Sequence, residues 1–382
     1  MARRKEIEGE AKPARQPVTL KMVAKHLGLS PATVSLVLNR SPVADSIPQE
    51  TKDRVFAAAR ELNYRPNFMA RSLRAKRSFT VGVLVPEISE AYATGVMSGI
   101  EDHLLHEGYF YLVASHRGKS DLLAEYLKLF EDRRVEGVIL VAVPIDNAPL
   151  LPTVAVAGHR ELDGVTNVII DHDHAAQLAL QHLVDLGHER IAFFKGQPSS
   201  ADTEDRWQAN LRVAEKLNLE VKDDLTLQLS GEKGADVFSA EEGYQEGYAF
   251  GQILLERCED FTALFAFNDV SAIGAMRAFL DAGLRVPEDV SVIGFDDIQS
   301  AAFQNPSLTT VRQPLRKMGA LAGEMLLERI ASKEPGPFLS VEPELVVRDS
   351  TGPPPAQASI RRRQAANRGQ GTSQTQDSET ST

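Results

Sequence analysis

The chain has 382 residues, of which 43% are apolar and 25% are charged, so it is long enough to form two or three folding units with buried cores. No apolar run approaches the roughly 18 residues that a membrane-spanning helix requires, and we expect no membrane segment. The basic start of the chain is not followed by an apolar stretch of the kind found in secretory signal peptides, so the sequence predicts a cytoplasmic protein.

Charge is divided unevenly along the chain. Residues 1–80 contain 16 Lys and Arg against 7 Asp and Glu, whereas the remaining residues contain 26 against 46. The first part therefore carries a net charge of +9 and the second part a net charge of −20. This asymmetry favours a basic head that contacts nucleic-acid phosphates and an acidic body that does not.

The spacing of apolar residues changes at about residue 79, from helical spacing to short apolar runs that alternate with amphipathic helical segments. The runs predict strands at Val81–Pro86, Tyr109–Ser115, Val138–Val143, Val154–Gly158, Val168–Ile170, Ile191–Gly196, Leu264–Asn268 and Val290–Phe295. The intervening segments predict helices at about 91–107, 120–132, 175–187, 205–218, 241–257, 270–282 and 315–331. This alternation predicts an α/β body of parallel sheets with helices on both faces. Residues 1–17 and 351–382 are polar, and we predict disordered tails there.

The segment from Thr19 to Asn39 has the spacing of a helix-turn-helix. We expect Thr19 to cap the first helix, Gly28 to end it in the left-handed conformation, and Ser30 to cap the second helix. Ala24 is small where two helices must cross closely. The side chains that then point outward from the second helix are Pro31, Ala32, Thr33, Ser35, Leu36 and Asn39. An ordinary helical hairpin explains some of these residues but not their joint spacing, so the segment predicts DNA binding.

The sequence SPATVSLVLN, followed by YRPNFMARSLR, resembles the DNA-binding head and hinge of the LacI family, and the resemblance extends from Val18 to about Asp349. It implies an all-α helix-turn-helix head over 18–64, a hinge helix and linker over 65–78, and an α/β effector-sensing body over 79–350. The body is expected to resemble periplasmic binding proteins, with two doubly wound parallel-sheet subdomains. By this resemblance the first subdomain comprises about 79–171 and the stretch after Asp297, and the second comprises 172–296 and the C-terminal part.

The resemblance also implies how the head contacts DNA. In the LacI family the second helix lies in the major groove, and Pro31, Ala32 and Leu36 match positions that meet base edges. These side chains can touch thymine methyl groups, but they cannot make bidentate bonds with guanine or adenine. We interpret Thr33, Ser35 and Asn39 as phosphate contacts. The full set of predicted DNA-binding residues is Thr19, Ser30, Pro31, Ala32, Thr33, Ser35, Leu36, Asn39, Tyr64, Asn67, Arg71, Leu73 and Arg74.

Leu73 matches the leucine of the family's hinge helix, which wedges between base pairs in the minor groove and kinks the duplex. Arg71 and Arg74 are then expected near phosphates. The alternative is that Leu73 is an ordinary linker residue. A segment this short is expected to become helical only when a second subunit and DNA are present.

Five positions of the body match effector contacts of the family. Asp296 would accept hydrogen bonds from hydroxyl or amine groups of a ligand, and Arg206 would donate them. Tyr92, Trp207 and Phe265 would present flat apolar faces to a sugar ring or a base. Asp296 can instead cap a turn, Arg206 can form a surface ion pair, and each aromatic residue can belong to the core. The combination suits a polyhydroxylated effector, such as a sugar.

The sequence does not favour a metal site or an enzyme. Residues 171–174 (DHDH) resemble a metal cluster, but no HExxH or CxxC motif accompanies them, and the single cysteine, Cys258, excludes an internal disulfide. The first strand of the body is followed by EISEAYATG, which is neither a glycine-rich phosphate loop nor a GxSxG elbow. We expect no metal, no cofactor and no catalytic residues. A solute-binding protein, the other class with this body fold, would require export and would lack the DNA-binding head.

The sequence therefore predicts a sequence-specific transcriptional regulator, acting as a repressor, whose binding to double-stranded operator DNA is controlled by a small effector in the body. A homodimer and a palindromic operator are expected, because one helix-turn-helix reads only a half-site. The effector is expected to be a sugar or a related polar metabolite.

Overall fold

The computed structural model describes residues 18–38, 42–64, 72, 77–117, 119–158, 162–198, 200–229, 240–257, 261–332 and 338–355. The chain divides into two compact units, Met1–Arg77 and Ser78–Thr382, which we call the head and the body. Residues 1–17 and 356–382 of the predicted tails, most of the predicted hinge, Asn39 and Cys258 lie outside the described residues. The prediction of a disordered tail is wrong for its first five residues, because Gly352 bonds to the body: its N–H donates to Oγ of Ser291 at 3.0 Å, and its carbonyl oxygen accepts from Nε2 of His188 at 2.9 Å.

The head contains three α-helices, α1 (Leu20–Leu27), α2 (Pro31–Leu38) and α3 (Gln49–Glu61), and a 3-10 helix at Pro42–Ser46. Valines at helical spacing form its core, since Val23, Val34 and Val55 are fully buried. Gly28 has φ +65°, which is the left-handed conformation that the sequence predicts at the end of α1. The turn after Gly28 allows α2 to cross α1 within four residues of its end.

The body contains twelve strands among the described residues. They are β1 (Thr80–Val85), β2 (Phe110–Ser115), β3 (Val138–Val141), β4 (Thr153–Val156), β5 (Val165–Ile170), β6 (Ile191–Lys195), β7 (Thr226–Gln228), β8 (Ala263–Phe265), β9 (Ser291–Asp296), β10 (Thr309–Arg312), β11 (Leu339–Val341) and β12 (Glu344–Val346). Its helices are α4 (Ala91–His106), α5 (Ser120–Asp132), α6 (His172–Asp185), α7 (Thr203–Lys216), α8 (Ala240–Arg257), α9 (Asp269–Asp281), α10 (Gln299–Phe303) and α11 (Leu315–Ser332), with a 3-10 helix at Asp223–Leu225.

The strands form two six-stranded sheets, in the orders β11-β5-β4-β3-β1-β2 and β12-β10-β9-β8-β6-β7. The first sheet is parallel, and so is the second except for the antiparallel pair β10 and β12. Both faces of the first sheet are covered, because Val83 and Leu84, adjacent residues of β1, belong to different buried clusters. Burial on both faces explains why these strands are continuous apolar runs rather than alternating ones.

All eight strands and all seven body helices that the sequence predicts are present, with ends displaced by a few residues. The four further strands, β7, β10, β11 and β12, are only three or four residues long, and three of them lie at sheet edges. The segment that forms β10, TTVR, is largely polar. Neither its length nor its composition distinguishes it from a loop until it pairs with β9.

The chain passes between the two sheets three times: between β5 and α6, between β10 and α11, and between β11 and β12. The expectation that the first subdomain resumes directly after Asp297 is wrong. Thr309–Arg312 pairs with β9 in the second sheet, so the chain returns to the first sheet only at Gln313 and Pro314. These passages place the carboxyl ends of both sets of parallel strands around one cleft.

Helices α4 and α11 approach each other unusually closely on the first sheet. A Cβ atom on Gly99 would lie 1.9 Å from the carbonyl oxygen of Arg316, and one on Gly319 would lie 1.9 Å from that of Val96. Both obstacles are backbone atoms, which cannot turn aside as a side chain can. The pair of glycines therefore determines the distance between the two helices.

We predict that Gly99→Ala destabilises the body by about 1–3 kcal/mol, because the added methyl group forces the two helix backbones apart. Unfolding in urea, followed by circular dichroism, measures this loss. Ser98→Ala changes the adjacent, exposed residue of the same helix and serves as the control. Equal stability of the two variants would contradict the role of this contact.

Candidate nucleic-acid interface and ligand cleft

The second helix of the head presents a mixed surface. Pro31 and Ala32 are exposed, and Thr33, Ser35 and Leu36 are partly exposed, whereas Val34 and Val37 are buried. The Ser30 hydroxyl accepts a hydrogen bond from the backbone N–H of Thr33 at 3.0 Å, so it caps α2 as the sequence predicts. The outward positions of α2 are therefore at least partly exposed on the surface of the head.

Other predicted DNA contacts differ from expectation or lie outside the described residues. Thr19 occupies the N-cap position of α1, but its side chain makes no capping hydrogen bond, so that prediction is wrong. Its carbonyl oxygen instead accepts the backbone N–H of Met22 at 2.9 Å. Tyr64 is partly buried and packs on the head core. Asn39, Asn67, Arg71, Leu73 and Arg74 lie outside the described residues.

In the body, strand β9 delivers a buried carboxylate to the cleft. Asp296, its last residue, is 7% exposed and accepts a hydrogen bond from Nε2 of Gln313 at 2.6 Å. Burial raises the pKa of Asp296 from 3.8 to about 7, although Arg206 and the Gln313 hydrogen bond act in the opposite direction. Gln313 lies in the second passage between the sheets, so this bond connects the end of β9 to that passage.

The backbone at Asp296 is held in an unusual conformation. Asp296 has φ +111° and Asp297 has φ +56°, both in the region that favours glycine. Asp297 accepts hydrogen bonds from Nε of Arg312 at 2.7 Å and from Nη2 of Arg348 at 2.5 Å. These two ion pairs fix the turn, and they favour a ligand-binding role of Asp296 over the alternative of a simple turn cap.

A second buried carboxylate, Asp269, bonds to the backbone directly after this turn. Its two oxygens accept hydrogen bonds from Oγ1 of Thr310 at 2.5 Å and from the backbone N–H of Ile298 at 2.8 Å. Burial first, and then the charge of Asp296, hold the pKa of Asp269 well above its usual range. The sequence analysis missed Asp269, although the polar residues Asn268 and Asp269 directly after a buried strand are a detectable signal.

Arg206 lies in the first turn of α7 and is 6% exposed. Its Nη1 donates to the carbonyl oxygen of Phe267 at 2.6 Å, and its Nη2 donates to Asp202. The guanidinium also lies over the rings of Phe295 and Phe267, at 3.9 and 4.4 Å from their centroids. Arg206 is thus a buried cation and not the surface ion pair that the sequence left open. Its Nε has no hydrogen-bond partner among the described residues.

The first sheet contributes a third carboxylate and a tyrosine. Glu90, partly buried, immediately precedes α4, and burial together with the charges of Asp296, Glu87 and Asp202 raises its pKa from 4.5 to about 7. The hydroxyl of Tyr92 is buried without a hydrogen-bond partner among the described residues. The charge of Asp296, on the second sheet, raises the pKa of both Glu90 and Tyr92, which follow the first strand of the first sheet. Glu90 and Asp202 were not predicted, because single acidic residues in loops carry no distinctive sequence pattern.

The predicted aromatic residues have different environments. Trp207 is partly buried, with its ring edge-on to Phe193 at 5.7 Å between centroids. Phe265 is only 3% exposed and packs on Phe193 at 6.4 Å. Phe265 is therefore a core residue, the alternative that the sequence left open, and the expectation that its face meets a ligand is wrong. Phe267, two residues later, is partly exposed and stacks on Arg206.

The side chains of the segment Asp171–His174 do not converge on a common metal position. Asp171 caps α6 by accepting the backbone N–H of His174 at 2.9 Å, Asp173 binds Arg212, and Nδ1 of His174 lies 2.8 Å from Glu342. Within the described ranges, no group of three or more His, Cys, Asp or Glu side chains is arranged to hold a metal ion. Nor does any helix among those residues have the length and apolar character needed to cross a bilayer.

The head has an exposed second helix, and the body has two sheets around a polar cleft. This combination defines the class of DNA-binding regulators with a sensing domain. Family models identify both parts: residues 19–67 match "Bacterial regulatory proteins, lacI family", and residues 180–351 match the "Periplasmic binding protein-like domain".

Curated relatives extend the similarity over most of the chain. The transcriptional repressor PurR of Vibrio vulnificus (strain CMCP6) is 31% identical over 341 residues, which cover 87% of this chain and 98% of the relative. PurR of Serratia proteamaculans (strain 568) is 33% identical over 347 residues, covering 88% and 98%. The chain therefore belongs to the LacI family and is a DNA-binding transcriptional regulator, which confirms the resemblance in its sequence.

Solved structures agree with this assignment. The lac repressor dimer bound to operator and the anti-inducer ONPF has a TM-score of 0.73 and 26% identity, covering 88% of this chain and 100% of that one. A complex of the regulator CelR with cellobiose has a TM-score of 0.64 and 29% identity, covering 87% and 99%. A LacI family regulator from Enterococcus faecium with bound ribose has a TM-score of 0.62 and 27% identity, covering 72% and 99%.

The raised pKa of Glu90 predicts a pH-dependent stability. A carboxyl group whose pKa is raised by folding stabilises the folded state fully below its ordinary value of 4.5, and this contribution is lost as the pH rises through about 7. Glu90→Gln cannot ionise and avoids the loss. We therefore expect its Tm to exceed that of the wild type by several degrees at about pH 8, and by much less near pH 4.5.

Thermal unfolding at the two pH values measures this difference. Glu125→Gln, on the exposed face of α5, is the matched control and should leave the Tm unchanged at both. A Glu90→Gln effect of equal size at both pH values would place Glu90 in a more solvated position than the cleft.

Proposed function

We propose that the protein is a repressor that binds a palindromic operator as a homodimer, and that a small polar effector in the body cleft controls this binding. The observation that carries the proposal is the burial of Arg206 and Asp296, which are 6% and 7% exposed, together with the hydroxyl of Tyr92, which has no hydrogen-bond partner among the described residues. Polar groups are buried at such cost only where a partner compensates them, and a ligand can be that partner.

The accessible surface of α2 supports the DNA-binding half of the proposal. Pro31, Ala32 and Leu36 meet base edges, and Thr33 and Ser35 position the helix on the phosphates. Tyr64 and the hinge residues Asn67, Arg71, Leu73 and Arg74 complete the contact in the proposal. The similarity to a lac repressor dimer on operator DNA favours two heads on two half-sites.

The cleft supports the sensing half. Asp296 and Arg206 hold a polar ligand by charge-assisted hydrogen bonds, with Trp207 and Tyr92 at its apolar faces. The similar structures that contain cellobiose or ribose favour a polar effector of comparable size. A ligand that binds the closed cleft more tightly than the open one shifts the population of body conformations, and hence the affinity for operator.

The proposal assigns no catalytic activity to the cleft. The relatives are transcriptional regulators, and the hydrogen bonds of Arg206 to Phe267 and of Asp296 to Gln313 position these two side chains for a ligand. A regulator of this kind acts where its operator lies, so we place the protein in the cytoplasm. Turnover of a sugar or nucleotide by the purified protein would overturn this part.

Selection of bound duplexes from a random pool, at two salt concentrations, tests the function directly, because affinity for DNA depends strongly on salt. Recovery of a palindrome supports a dimeric, sequence-specific regulator. Recovery of no enriched sequence, with or without candidate effectors, contradicts it.

Asp296→Asn is expected to reduce the effector response. Allosteric coupling commonly changes affinity about 5- to 150-fold, and removal of a buried charge that binds the ligand should bring the ratio of operator Kd values, with and without effector, close to one. Fluorescence anisotropy with the recovered operator measures this ratio. Asp281→Asn, at an exposed position of α9, should keep the wild-type ratio; an equal response by both variants would move the effector site elsewhere.

The apolar surface of α2 predicts readout of thymine methyl groups. We expect single replacements of thymine by uracil in the recovered half-site to weaken binding about fourfold at the contacted positions, since burying one methyl-sized group contributes ~0.8 kcal/mol. Leu36→Ala should abolish the sensitivity at one of these positions. If no replacement weakens binding, backbone contacts or DNA shape provide the specificity instead.

A further inference from the structure

The charges in the cleft are not balanced. Four carboxylates lie around it: Glu87 and Glu90 after β1, Asp202 before α7, and Asp296 at the end of β9. Among the basic groups nearby, Nε of Arg117 lies 3.8 Å from Glu87, and Arg206 is bonded to Asp202. Lys195, at the end of β6, has its Nζ 5.0 Å from the centroid of the Trp207 ring. Of the described residues, none places a basic nitrogen within 4.0 Å of Glu90 or Asp296. The cleft therefore contains two carboxylates, one on each sheet, without an ion-pair partner there.

Such an arrangement destabilises the folded body. Burial raises the pKa of both Glu90 and Asp296 to about 7, and the charge of Asp296 adds to the shift of Glu90. A neutral sugar can donate hydroxyl hydrogen bonds to either group, but it leaves their repulsion in place. A ligand ammonium group compensates both charges at once, and it replaces the protons as the stabilising cation.

A second observation indicates a ligand in the same place. Arg206, 6% exposed, has an Nε without a hydrogen-bond partner in the described part of the chain, and so does the buried hydroxyl of Tyr92. Tyr92 interacts electrostatically with Asp202, Asp296, Arg206 and Glu90. The unused donor of Arg206 can bind an acceptor oxygen of a ligand, and the hydroxyl of Tyr92 can bind a further polar group. Trp207 and Phe267 are partly exposed, and their rings can contact the ligand skeleton.

We propose that the effector is a polyhydroxylated amine of the amino-sugar class, whose ammonium group lies between Glu90 and Asp296 and one of whose oxygens accepts the Nε–H of Arg206. This inference rests on the effector cleft proposed above, and it specifies the charge of the ligand. Glu90 is then a specificity-determining residue, which selects the amine over the corresponding neutral sugar.

Matched pairs of compounds test the inference on the full-length protein. The probes are D-glucosamine and D-glucose, D-galactosamine and D-galactose, and 1-amino-1-deoxy-D-glucitol and D-glucitol, each titrated calorimetrically at pH 7. We expect at least one amine to bind roughly tenfold or more tightly than its neutral partner. Equal or tighter binding by the neutral members overturns the proposal, and so does failure of all three amines to bind. Selection of an operator from the random pool does not depend on the charge of the effector. Failure of these titrations would therefore leave the proposed function in place.

Glu90→Gln tests the assignment of the specificity to this residue. The substitution keeps the side-chain shape but removes the charge, and we expect the roughly tenfold preference for the amine to fall to about one. Glu125→Gln, exposed on α5, should retain the preference. Because Glu90→Gln relieves repulsion, the variant is expected to fold at least as stably as the wild type. Retention of the full preference by folded Glu90→Gln protein overturns the role of Glu90.

Discussion

Burial of Asp296 at the end of β9 is the constraint on which the organisation of the body depends. A carboxylate in this position loses hydration, which Gln313 compensates in part by a hydrogen bond, and the charge of Arg206 lowers its pKa from a greater distance. Gln313 belongs to a passage between the sheets, so the carboxylate that we propose as a ligand contact is bonded to a segment that connects the two subdomains. In the proposed function, this hydrogen bond connects ligand binding to closure of the cleft.

The ion pairs around the passages extend this connection. Arg312 binds Asp297, next to Asp296, and also Glu344, at the start of β12. His174 contacts Glu342, so the third passage is tied to the first as well. A change in the cleft can therefore reach all three passages through short polar contacts, without a large rearrangement of either core. In the proposed function, the two sheets with their packed helices are the units that such a change moves relative to each other.

Much of this architecture follows from local pattern. Buried parallel strands need continuous apolar residues, and amphipathic helices need apolar residues at helical spacing, so β1 and α4 were predictable within two residues. The same holds for the head, where Gly28, Ser30 and Val34 each satisfy a local requirement. The short strand β10 was not predictable, because its identity depends on pairing with β9. The mistaken return of the chain after Asp297 has the same cause.

The sequence by itself determined the fold class, the helix-turn-helix and the family, since these depend on spacings within a few tens of residues. Its resemblance to the LacI family also indicated Asp296 and Arg206 as effector contacts, which stays a prediction. Only the tertiary structure decided that Phe265 is core while Phe267 stacks on Arg206, and that the charge of Asp296 acts on Glu90. Glu90 and Asp296 are some 200 positions apart in the chain, and they interact only because the chain folds into two sheets around one cleft. No local pattern in the sequence predicts such an interaction.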